Sequence, residues 1–315
     1  MSDGMAIAGA PATDGGAQYR MGKSRTGDAV IRVALVGCAV FVVATTAAML
    51  AFLAQTGVRG MAEVGLGQLL TGTVWKPEAD SFGGLALIAG TFATAGGAIV
   101  LGAAPAVLAA VWLTEFSPAS VAGPYRRIME IASAVPSVVY GWLALVYLTP
   151  ITEAFGQWIY GADAQVSGVG IAASAILLAI MIAPTVLLLS LDALSRVPRA
   201  LRDASAALGA SPWQTAFSVS VPYGWRGVLV AIFYGFARAA GETMAVQMVI
   251  GGARRLPANL FSPTTTISAQ IVMDMQEARP GSVQNNVLFS MALILLVVSV
   301  VVVLITRTLA RRQGR

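Results

Sequence analysis

The sequence predicts an all-α membrane protein: six transmembrane helices and one independently capped loop between the fourth and fifth. Three observations carry this. Of 315 residues, 57% are hydrophobic and 11% charged, against roughly 25% charged and about 45–50% apolar in soluble domains. Six apolar segments reach the ~20 residues that a bilayer-crossing helix needs. Residues 196–227, RVPRALRDASAALGASPWQTAFSVSVPYGWRG, hold their own helix start and stop signals although they lie between two apolar spans.

Residues 1–27 are rich in Gly, Ala and small polar residues and lack apolar periodicity, so they read as a disordered tail. The apolar stretch at about 30–54 is too long for the h-region of a signal peptide and lacks a small-residue cleavage site, so it is expected to stay as an anchor. Residues 28–84 then form the first span and an outer segment. The other spans are expected at about 85–113, 127–150, 168–191, 227–251 and 286–306. They make a membrane domain over 85–306, with 307–315 as a basic tail. Pro105, Pro136 and Pro184 fall inside spans two, three and four, where neighbouring helices or water satisfy the freed carbonyls and kinks are expected. The connecting segments 55–84 and 252–285 are expected to form short helices at the outer surface. Trp75, Trp112, Trp142 and Trp158 fall near span ends or outer loops and read as interfacial anchors. The small residues of GTFATAGGAIVLGAAPA (90–106) read as sites of close helix packing.

Six spans leave both termini on one side. That side holds Arg126, Arg127, Arg196, Arg199, Arg202 and Arg226 in its loops, besides the basic residues of both tails; the other holds Arg59, Lys76, Arg254, Arg255 and Arg279. The asymmetry puts both termini and the 196–227 stretch in the cytoplasm. Arg254 and Arg255 run against the rule and need another purpose. Basic residues scattered through short loops orient a membrane chain; they do not make the soluble basic face of a nucleic-acid binder, so no nucleic-acid partner is expected. Glu115 and Glu130 are expected to be solvated or paired with Arg126 and Arg127. The chain has one cysteine, Cys38, and no histidine. That excludes an internal disulfide, a histidine general base and Cys/His zinc sites.

The loop is built as two short helices. Pro198 suits a first helical position, Asp203 lies toward the positive end of the helix, and Gly209 suits the left-handed residue that closes it. Ser211-Pro212-Trp213-Gln214 has the spacing of a capping box, and Pro222 is expected to stop the second helix. Leu201, Ala204, Ala207 and Leu208 form a small apolar face at helical spacing, suited to lying in a partner's groove. An ordered connection without a docking role fits the same spacing.

Further on, FYGFARAAGETMAVQMVIGG (233–252) places Arg238 and Glu242 four residues apart in an apolar span, on one helical face, with Thr243 beside them. Charges at mid-membrane cost about 2.5–3.5 kcal/mol each on insertion scales. They are expected to pair or to line a wet path, and a guanidinium is a bidentate donor to oxyanions. The spacing leaves a structural ion pair and a pathway gate both open.

DASAALGASPWQTAFSVSVPYGWRG resembles the Glu-Ala-Ala…Gly loop of ABC-importer permeases, with Asp203 at the Glu position, Ala204 at the first Ala, Ser205 replacing the second Ala, and Gly209 at the Gly. GFARAAGETMAV resembles the signature of phosphate-importer permeases of the PstC/PstA type. WKPEADSFGGLALIAGT (75–91), LTEFSP (113–118) and EIASAVPSVVYG (130–141) resemble the PstC type in order and spacing. The resemblance covers about residues 75–306. It implies a type I importer permease bundle whose loop 198–222 is a coupling helix docked on a separate ATPase. The chain has no G-x-x-x-x-G-K-[ST] phosphate loop, so ATP is expected to be bound by partner subunits and no cofactor by this chain. The implied partners are a PstA-like permease, two copies of an ATP-binding subunit, a periplasmic phosphate-binding protein and membrane lipid; the implied location is the bacterial inner membrane. On this reading Arg238, Glu242 and Thr243 belong to the translocation pathway, and Leu201, Asp203, Ala204, Ala207, Leu208 and Gly209 to the ATPase-docking loop. A sulfate or molybdate permease is the alternative within transport. A secondary transporter would show an inverted repeat, which the sequence does not display.

Overall fold

The structure, a computed structural model, describes residues 25–161 and 166–311. The expected tail therefore lies outside the described residues up to position 24, and so do residues 312–315 of the basic tail. The chain divides into two compact units, Met1–Ala51 and Phe52–Arg315. The described part of the first unit is helical, belonging to α1 (Arg25–Val64). Its side chains from Ala29 onward are exposed, among them Val33, Phe41 and Val43. A long, largely apolar and exposed helix is what a lipid environment accepts and water does not.

In the second unit the last turns of α1 pack against α14 (Val283–Arg311). Phe52 meets Phe289 edge-on at 5.3 Å, Ser290 donates to the Gly57 carbonyl at 2.7 Å, and Asn286 Nδ2 donates to Glu63 at 3.0 Å. After α2 (Leu66–Thr71) the chain forms a two-stranded antiparallel hairpin, β1 (Trp75–Lys76) and β2 (Ser81–Phe82). Short helices were expected over 55–84. The hairpin wins its part of that segment because Pro77 and a left-handed Asp80 (φ 48°) turn the chain back. Trp75 and Phe82 are then buried edge-on at 5.5 Å. Trp75 is thus a core residue, not an interfacial anchor, whereas Trp112, Trp142 and Trp158 are exposed.

Among the described residues, six helical spans are long and apolar enough to cross a membrane: Ala29–Val64, Leu85–Glu115, Ser137–Tyr160, Ile171–Ser195, Pro212–Gly241 and Val283–Thr306. The second span is α3 (Leu85–Ala98), a π-helical stretch Ile99–Ala103 and α4 (Ala104–Glu115). The third span differs from the expected 127–150. Val135 is extended (ψ 131°), as a residue before proline prefers, and it ends α5 (Ala119–Ala134). Pro136 thus separates two helices instead of kinking one. The span itself is α6 (Ser137–Leu143), a π stretch Ala144–Leu148 and α7 (Thr149–Tyr160). Arg126 of α5 pairs with Glu130 and with Asp192, each at 3.0 Å. The hydrogen bond with Glu130, then the Asp192 charge, raise its pKa above the ordinary arginine value.

α8 (Ile171–Ser195) runs through Pro184 as one helix and is the most buried span. It packs on α3, α4, α5 and α11. Small residues allow this approach: a Cβ on Gly97 would press on Ala175, and one on Gly102 on the Ala179 backbone. The end of the bundle that carries the 198–222 loop is filled by Ala110, Leu113, Leu187, Leu194, Ala216 and Val228; the far end by Leu69, Trp75, Phe82, Leu87, Ile267 and Met291.

The fifth span also differs from expectation. After α9 (Arg199–Ala207) comes α10 (Pro212–Thr215), which widens into a π stretch Ala216–Ser220 and continues as α11 (Val221–Gly241). Pro222 does not stop it. The π register immediately before the proline relaxes the ring's clash with the preceding turn, so the helix accommodates it. Pro105 and Pro150 follow the other two π stretches at the same offset. The span ends at Gly241, ten residues before the expected 251, and α12 (Met244–Val249) starts anew. α13 (Ile267–Met275) lies beyond it, and α14 continues to Arg311, so the first residues of the expected basic tail are helical.

Arg254, out of place by the charge rule, has a structural purpose. Its Nη2 donates to Asp274 Oδ1 at 2.6 Å, and Trp75 Nε1 donates to Asp274 Oδ2 at 2.8 Å. Asp274 is 1% exposed. The cluster ties the hairpin, the 251–264 loop and α13 together. Arg254→Ala is expected to leave that carboxylate with the indole N–H as its remaining donor, at a cost of about 2–3 kcal/mol. Its measure is a lower thermal unfolding midpoint of the detergent-solubilised protein.

Candidate functional site

The 198–222 loop folds on local signals. α9 closes in a Schellman motif: Gly209, at φ 81°, donates to Ala206 O at 2.9 Å, and Ala210 N donates to Ser205 O at 3.2 Å. The capping box is complete, with Gln214 N donating to Ser211 Oγ and Ser211 N donating to Gln214 Oε1 at 2.8 Å.

α9 has two distinct faces. Leu201, Ala204 and Leu208 lie on one, all exposed, with Leu208 at 90%; Asp203, Ala207 and Gly209 are exposed as well. All six expected docking residues therefore present themselves to the outside of this chain. The adjoining face is polar and bonded. Ser205 Oγ shares a hydrogen bond with Thr215 Oγ1 at 2.9 Å. Arg202 donates from Nε and Nη2 to Glu115 Oε1 at 3.1 and 2.8 Å, from Nη1 to Val197 O at 3.2 Å, and from Nη2 to Leu194 O at 3.1 Å. It also donates to Ser220 Oγ at 3.4 Å. Phe116, Trp213 and Phe217 pack in tilted contact beside this cluster, with ring centroids 6.0 and 4.3 Å apart.

Glu115 is thus paired with Arg202, not with Arg126 or Arg127, while Glu130 pairs with Arg126 as expected. In the sequence Arg202 reads only as one of the inward-side charges. Its i,i+3 spacing to Ser205 places the two on one face of α9, but its partners lie on other elements and leave no trace in local spacing.

The second candidate centre is the end of α11. Glu242 is extended (φ −70°, ψ 128°) immediately after Gly241, so the helix does not carry Arg238 and Glu242 on one face. Glu242 instead turns its carboxylate to the start of α12, where Oε1 accepts from Ala245 N at 3.3 Å, and its carbonyl accepts from Ser268 Oγ at 3.0 Å. Backbone donors at the head of α12 compete for the carboxylate and win over the pairing with Arg238. Thr243 Oγ1 donates to Gly241 O at 3.3 Å. Arg238 sits in the last turn of α11, exposed, and no ion pair or hydrogen bond of its side chain occurs among the described residues. Buried hydroxyls cluster in the 264–266 segment, at Thr264, Thr265 and Thr266, and on α3, at Thr91 and Thr94.

This architecture matches known proteins along most of the chain. Residues 98–315 match the family model "Binding-protein-dependent transport system inner membrane component". The probable ABC transporter permease protein YqgH of Bacillus subtilis (strain 168) is 35% identical over 286 residues, which is 90% of each chain. The phosphate transport system permease protein PstC of Mesorhizobium japonicum is 33% identical, covering 77% of this chain and 78% of that one. PstC of Pasteurella multocida is also 33% identical, over 76% and 78%. Among solved structures, a chain of the inward-facing MetNI methionine ABC transporter superposes with a TM-score of 0.52 at 19% identity, over 77% of this chain and all of that one. Six spans, a doubly capped helical loop and a matching family model over more than half its length agree: this multi-pass membrane chain belongs to the family of binding-protein-dependent transport system inner membrane components.

Proposed function

We propose that this chain is the PstC-like permease of an ATP-driven phosphate importer. It forms one half of a translocation pathway with a PstA-like permease, above two copies of an ATPase and below a periplasmic phosphate-binding protein. It lies in the bacterial inner membrane with both termini in the cytoplasm. ATP is bound and hydrolysed by the ATPase subunits; this chain carries no ATP site and performs no covalent chemistry. The observation that carries the proposal is Arg238: a cation at the end of an apolar span, exposed and without a protein partner among the described residues. A lipid-facing arginine is costly, so the side chain belongs toward a wet path, where its planar fork suits an oxyanion. Glu242 and Thr243 at the adjacent helix break, and the PstC names of the relatives, support the same substrate class.

In this mechanism closure of the ATPases displaces the 198–222 loop, and the attached spans rock to expose the pathway alternately to each side. Arg238 neutralises phosphate as it passes, and the break at Glu242 gives the end of α11 a hinge independent of α12. The test is uptake of labelled phosphate into proteoliposomes holding this chain, its permease partner, the ATPase and the binding protein. Uptake is expected to require ATP, to ignore excess sulfate, and to fall at least tenfold in Arg238→Gln, roughly the 1.4 kcal/mol of one lost charge-assisted contact. Competition by sulfate would assign a different oxyanion, and unchanged uptake in the variant would remove Arg238 from the pathway.

A further inference from the structure

We infer that Arg202 is the positioning residue that fastens the coupling helix to the membrane bundle, so that α9 and the inner ends of three spans move as one body. The inference rests on the reading of 198–222 as the loop that receives motion from the ATPase.

α9 buries none of its own residues. Apolar packing therefore contributes little to holding it, and its hydrogen bonds carry the attachment. Arg202 makes most of them. Its guanidinium reaches Glu115 at the end of α4, Leu194 O at the end of α8, Val197 O in the turn that follows, and Ser220 Oγ in the π stretch that opens the fifth span. The acceptors are of the right kind. Carbonyls in the last turn of a helix lack intrahelical donors and attract cations, and a planar five-donor group serves several acceptors at once where an ammonium does not. The Glu115 side chain is 7% exposed, so the pair is held away from bulk water and is weakly screened. Ser205, three residues on, adds the bond to Thr215.

The two faces of α9 thus divide the work. The open apolar face, Leu201, Ala204 and Leu208, is free to be gripped from outside. The bonded face passes displacement to the second, fourth and fifth spans. Without Arg202, the loop still presents its outer face but is no longer tied to the bundle.

The experiment uses the complete complex in proteoliposomes with Arg202→Gln, Arg202→Lys and the double variant Glu115→Gln/Arg202→Gln. The double variant removes the carboxylate that the single Gln variant strands, and so remains folded if the single one does not. In all three the ATPase is expected to stay bound and to hydrolyse ATP. Phosphate taken up per ATP is expected to fall about tenfold in Arg202→Gln and in the double variant, and less in Arg202→Lys, which keeps the charge but not the fork. A second readout does not depend on the substrate: spin labels at Ala200 and Leu108 in a Cys38→Ser background. With Arg202 their separation is expected to stay fixed between nucleotide-free and ATP-bound complexes; in the Gln variants it broadens or shifts. Uptake per ATP at the original level in the double variant, or an unchanged label separation there, overturns the inference. If the unmodified complex takes up phosphate without the ATPase, the coupling-loop reading itself fails, whatever the labels show.

Discussion

Gly209→Trp is expected to abolish co-purification of the ATPase with the permease, while the spanning bundle remains folded. Gly209 holds φ 81° at the close of α9, and a Cβ there would meet nothing within 4 Å. The position has room for a side chain in this chain alone; on the proposed coupling role, a large ring would collide with the docked ATPase. The neighbouring Leu208 is the most exposed of the loop's apolar side chains, so an indole at 209 stands beside the docking face. Backbone strain separates from steric block by comparison with Gly209→Ala. A non-glycine residue in the left-handed region costs about 1–2 kcal/mol, so the alanine variant weakens the Schellman closure but keeps much of the retention. Full retention in Gly209→Trp would put the ATPase contact somewhere other than this loop.

Gly90→Ala is expected to destabilise the bundle strongly, whereas Gly96→Ala, on the same helix, is not. An added Cβ at Gly90 collides with the backbone carbonyl oxygen of Thr265, an atom with no rotamer to escape into, while one at Gly96 has nothing within 4 Å. Relief at Gly90 requires α3 to move away from the 264–266 segment. That motion breaks the bond in which Ile267 N donates to Thr91 Oγ1 at 2.9 Å, which satisfies a buried donor at the head of α13. Overpacking and the orphaned amide together cost about 4 kcal/mol. Gly96→Ala gains helix propensity, up to about 1 kcal/mol. Thermal unfolding of the two purified variants, followed side by side, checks the contrast. Equal midpoints would mean that α3 and the 264–266 segment are not in contact.

The legible parts of this protein are those with a local physical signature. Hydropathy over about 20 residues marks a span wherever it packs, and six spans emerge from it. The Ser211–Gln214 box and the Gly209 closure are readable because a cap's donors and acceptors sit within a few residues of each other. Prolines are read less well, since their effect depends on what surrounds them. Pro136 breaks the chain between α5 and α6, Pro184 sits inside an unbroken helix, and Pro222 follows a π stretch that lets the fifth span begin at residue 212. The helix break at Gly241–Glu242 is hard to read because apolar residues resume at Met244 and i,i+4 spacing suggests one continuous helix through it; backbone amides of α12, not hydropathy, decide where Glu242 turns.

The sequence by itself determined the fold class, the number of spans, the capped loop and its exposed apolar face, because hydropathy, capping and helical spacing act over short stretches of chain. Tertiary structure alone decided which charges meet. Arg202 and Glu115 lie 87 residues apart, and Trp75 and Asp274 lie 199 apart. In an apolar bundle a charge takes whichever partner the packing of distant helices brings within reach, and no local spacing encodes that partner.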